Sequence, residues 1–245
     1  MIKKRVLCSS VILTVLLLSK LYSNPQTELL EDPFRKALDQ SMKANVSQTL
    51  AEKKNKEIQM ISNQVNFADE NVPLEEERVK RKLDKYLKQF AYLKKSSHHI
   101  HRKADVLLPK ISKILQSYGI PDDFKYIAVV ESSLNPGTTS HKGAGGYWQF
   151  IPSTARLYGL KVNGKVDDRL DLHKSTHAAA RYIKSLYKEF GDWTLVAAAY
   201  NVGGNRLKSS LRKQNKDSYY DLQLNAETAS YVYKIISMKT ILDQS

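Results

Sequence analysis

Apolar residues recur at helical spacing along most of the chain. The first clear case lies between residues 79 and 90, where lysines and arginines fill most of the positions between the apolar ones. The apolar positions are Val79, Leu83, Tyr86, Leu87 and Phe90. This pattern predicts an amphipathic helix, and its charged positions are typical of a solvated face.

Helix start and stop signals divide the chain after about residue 98 into short helices. A helical pattern over residues 106–118 ends at Gly119, and Pro121 with two aspartates is a strong start signal for the next helix. Asn135-Pro136 and three nearby glycines predict a long loop. No hairpin signal is clear and no repeat is present, so the predicted fold class is mainly α.

Polar residues ahead of the later helical patterns predict their N-terminal caps. We expect Ser153 to cap a short helix, Ser175 or Thr176 to cap a longer one that ends at Gly191, and Asp192 to begin the next. A final helix is predicted over residues 226–242.

Length and composition predict one compact domain with an appendage. The chain has 245 residues, of which 42% are hydrophobic. Residues 24 to about 65 are rich in Lys, Gln and Asn with weak helical periodicity, which indicates a loosely packed or partly disordered lead-in. We therefore divide the chain into residues 1–23, a helical N-terminal extension over 24–97 and a catalytic domain over 98–245.

The first 23 residues have the layout of a secretory signal peptide. Three cations precede an apolar run at residues 6–19, which is shorter than the roughly 18 to 20 residues that span a bilayer. The cleavage site is weak, so an uncleaved membrane anchor stays an alternative. Cys8 lies near the start of the apolar run, which excludes a lipoprotein. We expect export to the periplasm or cell envelope.

The charge of the chain favours an anionic polymer or surface as its partner. The formal charge is +14, and removal of the signal segment with its four cations would leave +10. The predicted export argues against nucleic acid as a partner. The chain after residue 23 contains no cysteine, so disulfides and thiolate metal sites are excluded there.

One carboxylate, Glu131, lies on an apolar helical stripe that also contains Phe124, Ile127 and Ala128. It falls in the last turn, where the helix dipole and desolvation both disfavour ionisation, so we predict a raised pKa. The ordinary alternative is a buried glutamate paired with Lys or Arg. A glycine-rich loop follows within a few residues, however, and a protonated acid beside a cleft is what proton transfer to a leaving oxygen requires.

Four motifs in order carry a resemblance to a known family. They are "ESSLNP", "SHKGAGGYWQFIPSTARLYGL", "AAAYNVGGNR" and "ETASYVYKI". Together they resemble the catalytic domain of soluble lytic transglycosylases, glycoside hydrolase family 23. A longer match over about residues 66 to 242 looks most like the D-type membrane-bound murein transglycosylases.

This resemblance implies a lysozyme-like helical fold that acts on peptidoglycan without a metal or organic cofactor. Glu131 would be the single acid and base that cleaves the bond between N-acetylmuramic acid and N-acetylglucosamine, leaving a 1,6-anhydromuramoyl end. One carboxylate suffices because the attacking hydroxyl belongs to the sugar, whereas other glycosidases use two. Residues 132–166 contain no Asp or Glu, although Asp167, Asp168 or Asp171 could still fold towards Glu131.

The resemblance also assigns substrate contacts. Ser140 and Gln149 would face the sugar near Glu131, and Tyr200 with Asn201 would line the opposite wall. Tyr231 would approach Glu131, although an ordinary core tyrosine is the alternative for both tyrosines. Trp148 is a further candidate for stacking on a sugar.

Two departures from the family pattern concern the loop and the end of the chain. His141 and Lys142 stand where a proline and a small residue are common, and Tyr147 replaces a usual leucine. Many D-type relatives carry C-terminal LysM repeats, whereas this chain ends about three residues after its last predicted helix. We therefore expect wall affinity to come from the cleft, the basic surface or an unknown protein partner.

Three other functions are alternatives to a transglycosylase. A muramidase like goose-type lysozyme would deliver water in place of the sugar hydroxyl. A non-catalytic peptidoglycan-binding scaffold would keep the groove without the reaction. A nucleic-acid-binding protein would agree with the positive charge of the chain, but it would not explain the signal segment or the four motifs.

Overall fold

The computed structural model describes residues 40–49, 65–96 and 98–243. Contacts divide the chain into two compact units, Met1–Gln59 and Met60–Ser245. In the first unit, residues 40–49 form an exposed helix, α1. The predicted signal segment 1–23 lies outside the described residues, as does most of the lead-in. Within the described part of the chain, no helix is both long and apolar enough to cross a membrane.

The second unit is built almost entirely from helices, which confirms the predicted mainly α class. A two-stranded hairpin precedes the helices, with β1 at Asn66–Phe67 and β2 at Glu70–Asn71. The helices are α2 Glu77–Ser96, α3 His98–Ser117, α4 Lys125–Ser132, α5 Pro152–Leu157, α6 Leu172–Phe190, α7 Trp193–Val202, α8 Gly204–Gln214 and α9 Thr228–Asp243. Short 3-10 turns occupy Asp122–Phe124, Asp168–Leu170 and Tyr219–Asp221.

Helix α9 lies at the centre of this unit. It packs against α2, α4 and α7, and its buried side chains point to more than one side. Helix α2 falls in the predicted N-terminal extension, yet it packs along α9 inside the same compact unit. A division of the chain between residues 97 and 98 stays a prediction.

Helix ends follow some of the sequence signals and contradict others. Gly191 ends α6 with φ 67°, and the Asp192 side chain accepts a hydrogen bond from the Leu195 amide at 2.6 Å at the start of α7, as predicted. The cap predicted at Ser153 is wrong, because α5 begins at Pro152, whose ring already fixes a helical φ.

The predicted cap of α6 at Ser175 or Thr176 is also wrong. Asp171 caps this helix by accepting from the Lys174 amide at 2.8 Å. Ser175 and Thr176 lie one turn inside the helix and donate their hydroxyls back to the carbonyls of Asp171 and Leu172, each at 2.6 Å.

The hairpin has no clear sequence signal and was not predicted. Its strands are two residues long, and Ala68 and Asp69 form the turn with φ 55° and 63°, where glycine or asparagine is usual. Asp123 stabilises this turn from outside, since its Oδ2 accepts the Ala68 amide at 2.7 Å and the Lys239 ammonium at 2.7 Å. The hairpin is therefore fixed by tertiary contacts.

Candidate active site

Glu131 lies in the last turn of α4, half-buried and directly opposite α9. The hydroxyl of Tyr231 on α9 donates a hydrogen bond to Oε1 of Glu131. Burial raises the pKa of Glu131 to about 7, while the Tyr231 hydrogen bond lowers it, the Glu227 charge raises it and the Lys234 charge lowers it. The pKa is thus raised, as the sequence predicts, with desolvation as the main cause.

Two cavities meet at Glu131. The first, of about 530 Å³, extends towards α7 and α8, and the second, of about 720 Å³, extends towards α3. Glu131 belongs to the lining of both, so its carboxyl lies in the wall of a groove that continues on each side. We call these the α7 cavity and the α3 cavity.

The α7 cavity brings together four of the predicted substrate contacts. These are Ser140, Gln149, Tyr200 and Asn201. His141 and Lys142, the departures in the loop, also line this cavity. Tyr231 is nearly fully buried and reaches the site through its bond to Glu131.

Local hydrogen bonds fix the loop residues of this cavity. Gln149 has φ 49° and donates its side-chain amide to the carbonyls of Thr138 and Gly146, each at 2.9 Å. The Ser140 hydroxyl accepts the Ala144 amide at 3.1 Å. The loop side chains are therefore held in position before any ligand binds.

The opposite wall is held by contacts to the loop and to α9. The Tyr200 hydroxyl donates to the Trp148 carbonyl at 2.9 Å, and burial raises the pKa of Tyr200 well above its ordinary value. Asn201 donates to Glu227 at 3.0 Å and accepts from the Thr228 hydroxyl at 2.7 Å. These hydrogen bonds hold both side chains in the lining of the α7 cavity.

Trp148 does not stack on a sugar, contrary to the sequence interpretation. Its side chain is fully buried and its indole donates to the Thr176 hydroxyl at 3.0 Å. The ring packs between the loop and α6, where it supports the groove from behind.

Arg169 organises the glycine-rich loop and was missed by sequence reasoning. Its buried guanidinium donates to the carbonyls of Gly143 at 2.7 Å and Phe150 at 2.8 Å, and it pairs with Asp167 at 2.7 Å. At Gly146, which has φ 78°, a Cβ atom would lie 2.0 Å from the Arg169 carbonyl oxygen. Glycine is therefore required at this position.

The aspartates that could have joined Glu131 have structural roles. Asp167 pairs with Arg169, Asp168 pairs with Lys174 at 2.7 Å, and Asp171 caps α6. The second carboxylate in the α7 cavity is instead Glu227. Glu227 lies in the motif "ETASYVYKI", so a signal for it was present in the sequence.

Within the described residues, no group of three or more His, Cys, Asp and Glu side chains is arranged to hold a metal ion.

Comparison with known proteins adds to this geometry. Residues 110–223 match a family model described as the transglycosylase SLT domain. This segment contains Glu131 and the four predicted substrate contacts of the α7 cavity but ends before Tyr231.

Two curated proteins are similar over longer regions. Membrane-bound lytic murein transglycosylase D of Escherichia coli strain K12 is 35% identical over 176 residues, which cover 70% of this chain and 38% of that protein. The chain thus spans less than half the length of this relative. A putative tributyltin chloride resistance protein of Alteromonas sp. strain M-1 is 28% identical over 161 residues, covering 64% of this chain and 75% of that protein.

Among solved structures, the 70 kDa soluble lytic transglycosylase of Escherichia coli aligns with a TM-score of 0.45 at 22% identity. The alignment covers 54% of this chain and 24% of that chain.

Proposed function

Because residues 110–223 match the family model of the transglycosylase SLT domain, we propose that this protein is a peptidoglycan lytic transglycosylase. It cleaves the β-1,4 bond between N-acetylmuramic acid and N-acetylglucosamine and leaves a 1,6-anhydromuramoyl end. The observation that carries the proposal is Glu131, a carboxyl with a pKa of about 7 in the wall of a groove that continues on both sides.

The reaction uses Glu131 twice. The raised pKa of Glu131 favours its protonated form, and this proton passes to the glycosidic oxygen as the bond from that oxygen to the anomeric carbon breaks. The carboxylate then accepts the proton of the muramoyl 6-hydroxyl, whose oxygen closes onto the anomeric carbon. Tyr231 donates to the carboxylate throughout and so lowers the cost of its ionised state.

The remaining parts of the proposal concern the sugar contacts, the catalytic domain and the location of the protein. Ser140, Gln149, Tyr200 and Asn201 bind the sugars on the α7 side of Glu131. The helices form a lysozyme-like catalytic domain. The protein is exported to the cell envelope, and residues 1–23 supply either a removable signal or a membrane anchor.

Glu227 supports a second candidate, a muramidase that uses water. This carboxylate lines the α7 cavity together with Glu131, and a second carboxylate is what an inverting or retaining hydrolase needs. The two reactions differ in product, since hydrolysis leaves a reducing end.

Mass spectrometry of muropeptides released from purified sacculi tests the proposal. We expect anhydromuramoyl products from the protein and a roughly 100- to 10,000-fold lower rate from Glu131→Gln. Glu75→Gln, an exposed glutamate outside the groove, should leave the rate unchanged. Reducing ends would favour the muramidase, and sacculus binding without any release would overturn both enzymatic candidates.

A further inference from the structure

The α3 cavity contains a lysine, Lys103, to which the cleavage reaction assigns no role. It is bounded by α2, the first turns of α3, the end of α4 with the loop that follows it, and the middle and end of α9. Lys103 and Lys234 line it, together with His99 and His101. Among the described residues of this lining, Glu131 is the one carboxylate, and it serves the reaction.

Of the two lysines in the α3 cavity, Lys103 has no neighbouring counter-charge among the described residues, whereas the charge of Lys234 acts on Glu131. Lys103 is half-buried and forms no ion pair with any residue that the structure describes. Lys234 lies 6.0 Å from the centre of the Tyr86 ring. By contrast, Lys174 and Lys239 outside the groove each hold an aspartate at 2.7 Å. The cavity therefore offers positive charge to a ligand.

The α7 cavity differs in this respect. Its cations, Lys142 and Arg206, share the lining with Glu227 as well as Glu131. The groove thus has one end of mixed charge and one end that is positive apart from the catalytic acid. A ligand with anionic groups on one side would complement this arrangement.

The chemistry of peptidoglycan identifies those groups, an argument that rests on the proposed function. The sugar rings carry no charge, and the carboxylates of a peptide-bearing strand belong to its stem peptides. We infer that the α3 cavity binds stem-peptide carboxylates, and that Lys103 is a specificity-determining residue which favours peptide-bearing strands over bare glycan. The volume of about 720 Å³ lies in the range of pockets that bind small ligands, which is large enough for part of a stem peptide.

The test compares two soluble substrates made from the same sacculi. One consists of uncrosslinked strands with intact stem peptides, and the other of strands from which an amidase has removed the peptides. Initial rates of anhydromuramoyl product are measured with the full-length protein, with Lys103→Gln and with Lys103→Glu. Lys113→Gln is the control, because this exposed lysine lies on the same helix outside the cavity.

The expected result is a change in KM on one substrate alone. For peptide-bearing strands, Lys103→Gln should raise KM about two- to five-fold and Lys103→Glu further, with kcat unchanged. For peptide-free strands, whose remaining carboxylate is on the lactyl group of the sugar, KM should stay the same. Added salt should reduce the difference. The control should match the unmodified protein on both substrates.

The outcomes separate this inference from the proposed function. If the unmodified protein cleaves both strands and Lys103→Glu alters both KM values equally, or neither, the peptide assignment is wrong while the transglycosylase stands. If the unmodified protein cleaves neither strand, the proposed function fails first. Circular dichroism of each variant excludes misfolding as the cause of a changed rate.

Discussion

The acidity of Glu131 results from opposing effects of a few neighbours. Burial acts most strongly and favours the protonated form, and the charge of Glu227 adds to it. The Tyr231 hydroxyl and the Lys234 charge favour the ionised form. With a pKa of about 7, the carboxyl can release and regain a proton at little cost near neutral pH.

Tyr231→Phe should shift the pH dependence of the reaction upwards. The hydroxyl stabilises ionised Glu131, so its removal raises the pKa of Glu131 beyond about 7 and moves the alkaline fall in activity to higher pH. A hydrogen bond to a charged group corresponds to a shift of about one pH unit or somewhat more. Because the same bond orients the carboxylate, kcat should also fall.

Initial rates between pH 5 and 9 measure this shift. Tyr233→Phe is the control, since Tyr233 lies on the same helix but is not among the groups that perturb Glu131. An unchanged or lowered midpoint in Tyr231→Phe would contradict the role given to its hydroxyl.

The environment of a single residue could be predicted from the sequence where that environment is determined by the residue's own helix. The apolar stripe and the helix end around Glu131 are local, and they sufficed to predict its raised pKa. Arg169 forms a hydrogen bond with Gly143, and Glu227 forms one with Asn201, each 26 positions away. Residue spacing within one element could not predict these contacts.

At the scale of elements, the loop before α5 depends on its anchor to Arg169. Gly146→Ala would require both a left-handed conformation and a shift of the Arg169 backbone, because the added Cβ would lie 2.0 Å from a carbonyl oxygen. We expect a loss of roughly 2–4 kcal/mol in the free energy of unfolding and a displaced Gln149.

Urea unfolding and the rate of product release measure both effects. Gly164→Ala is a matched control, since a Cβ at that position meets nothing within 4 Å. Equal free energies of unfolding for Gly146→Ala and Gly164→Ala would contradict this prediction and mean that the loop can shift without loss of stability.

Element types were more predictable than their junctions. Apolar residues recur at helical spacing where one face of a helix is buried, so α6, α7 and α9 could be predicted from the sequence. Which of several polar residues caps a helix depends on where the chain enters it, and Asp171 lies one turn before the predicted Ser175. The hairpin depends on Asp123, a contact that no local pattern encodes.

At the scale of the whole molecule, Glu70 connects the hairpin to the wall of the groove. Its carboxylate accepts the backbone amides of Trp193 at 2.6 Å and Thr194 at 2.8 Å, and also the Thr194 hydroxyl at 2.8 Å. It therefore stabilises the N-terminus of α7, the helix that carries Tyr200 and Asn201.

Glu70→Gln should destabilise the unit by about 1–3 kcal/mol, because one of the two accepting oxygens becomes a donor facing another donor. Thermal unfolding monitored by circular dichroism measures the loss. Asp69→Asn removes a neighbouring exposed charge and should have little effect, since asparagine also tolerates the left-handed turn. Equal melting temperatures would show that α7 does not depend on this contact.

The overall class could be predicted from sequence, whereas the arrangement of helices could not. Helix α9 is buried because it packs against three other helices, α2, α4 and α7. The periodicity of one helix does not show which helices it will contact. The position of Tyr231 opposite Glu131 came from the family resemblance alone.

The contacts of Lys239 also determine the order in which the molecule can be completed. This lysine binds Asn66, 173 positions earlier in the chain, and Asp123, 116 positions earlier. The hairpin is therefore synthesised well before the lysine on α9 that binds it. Contacts of such separation form late and slowly. A chain interrupted before residue 228 therefore carries Glu131 without its tyrosine partner, and the α3 cavity acquires its α9 wall only after that helix has been added.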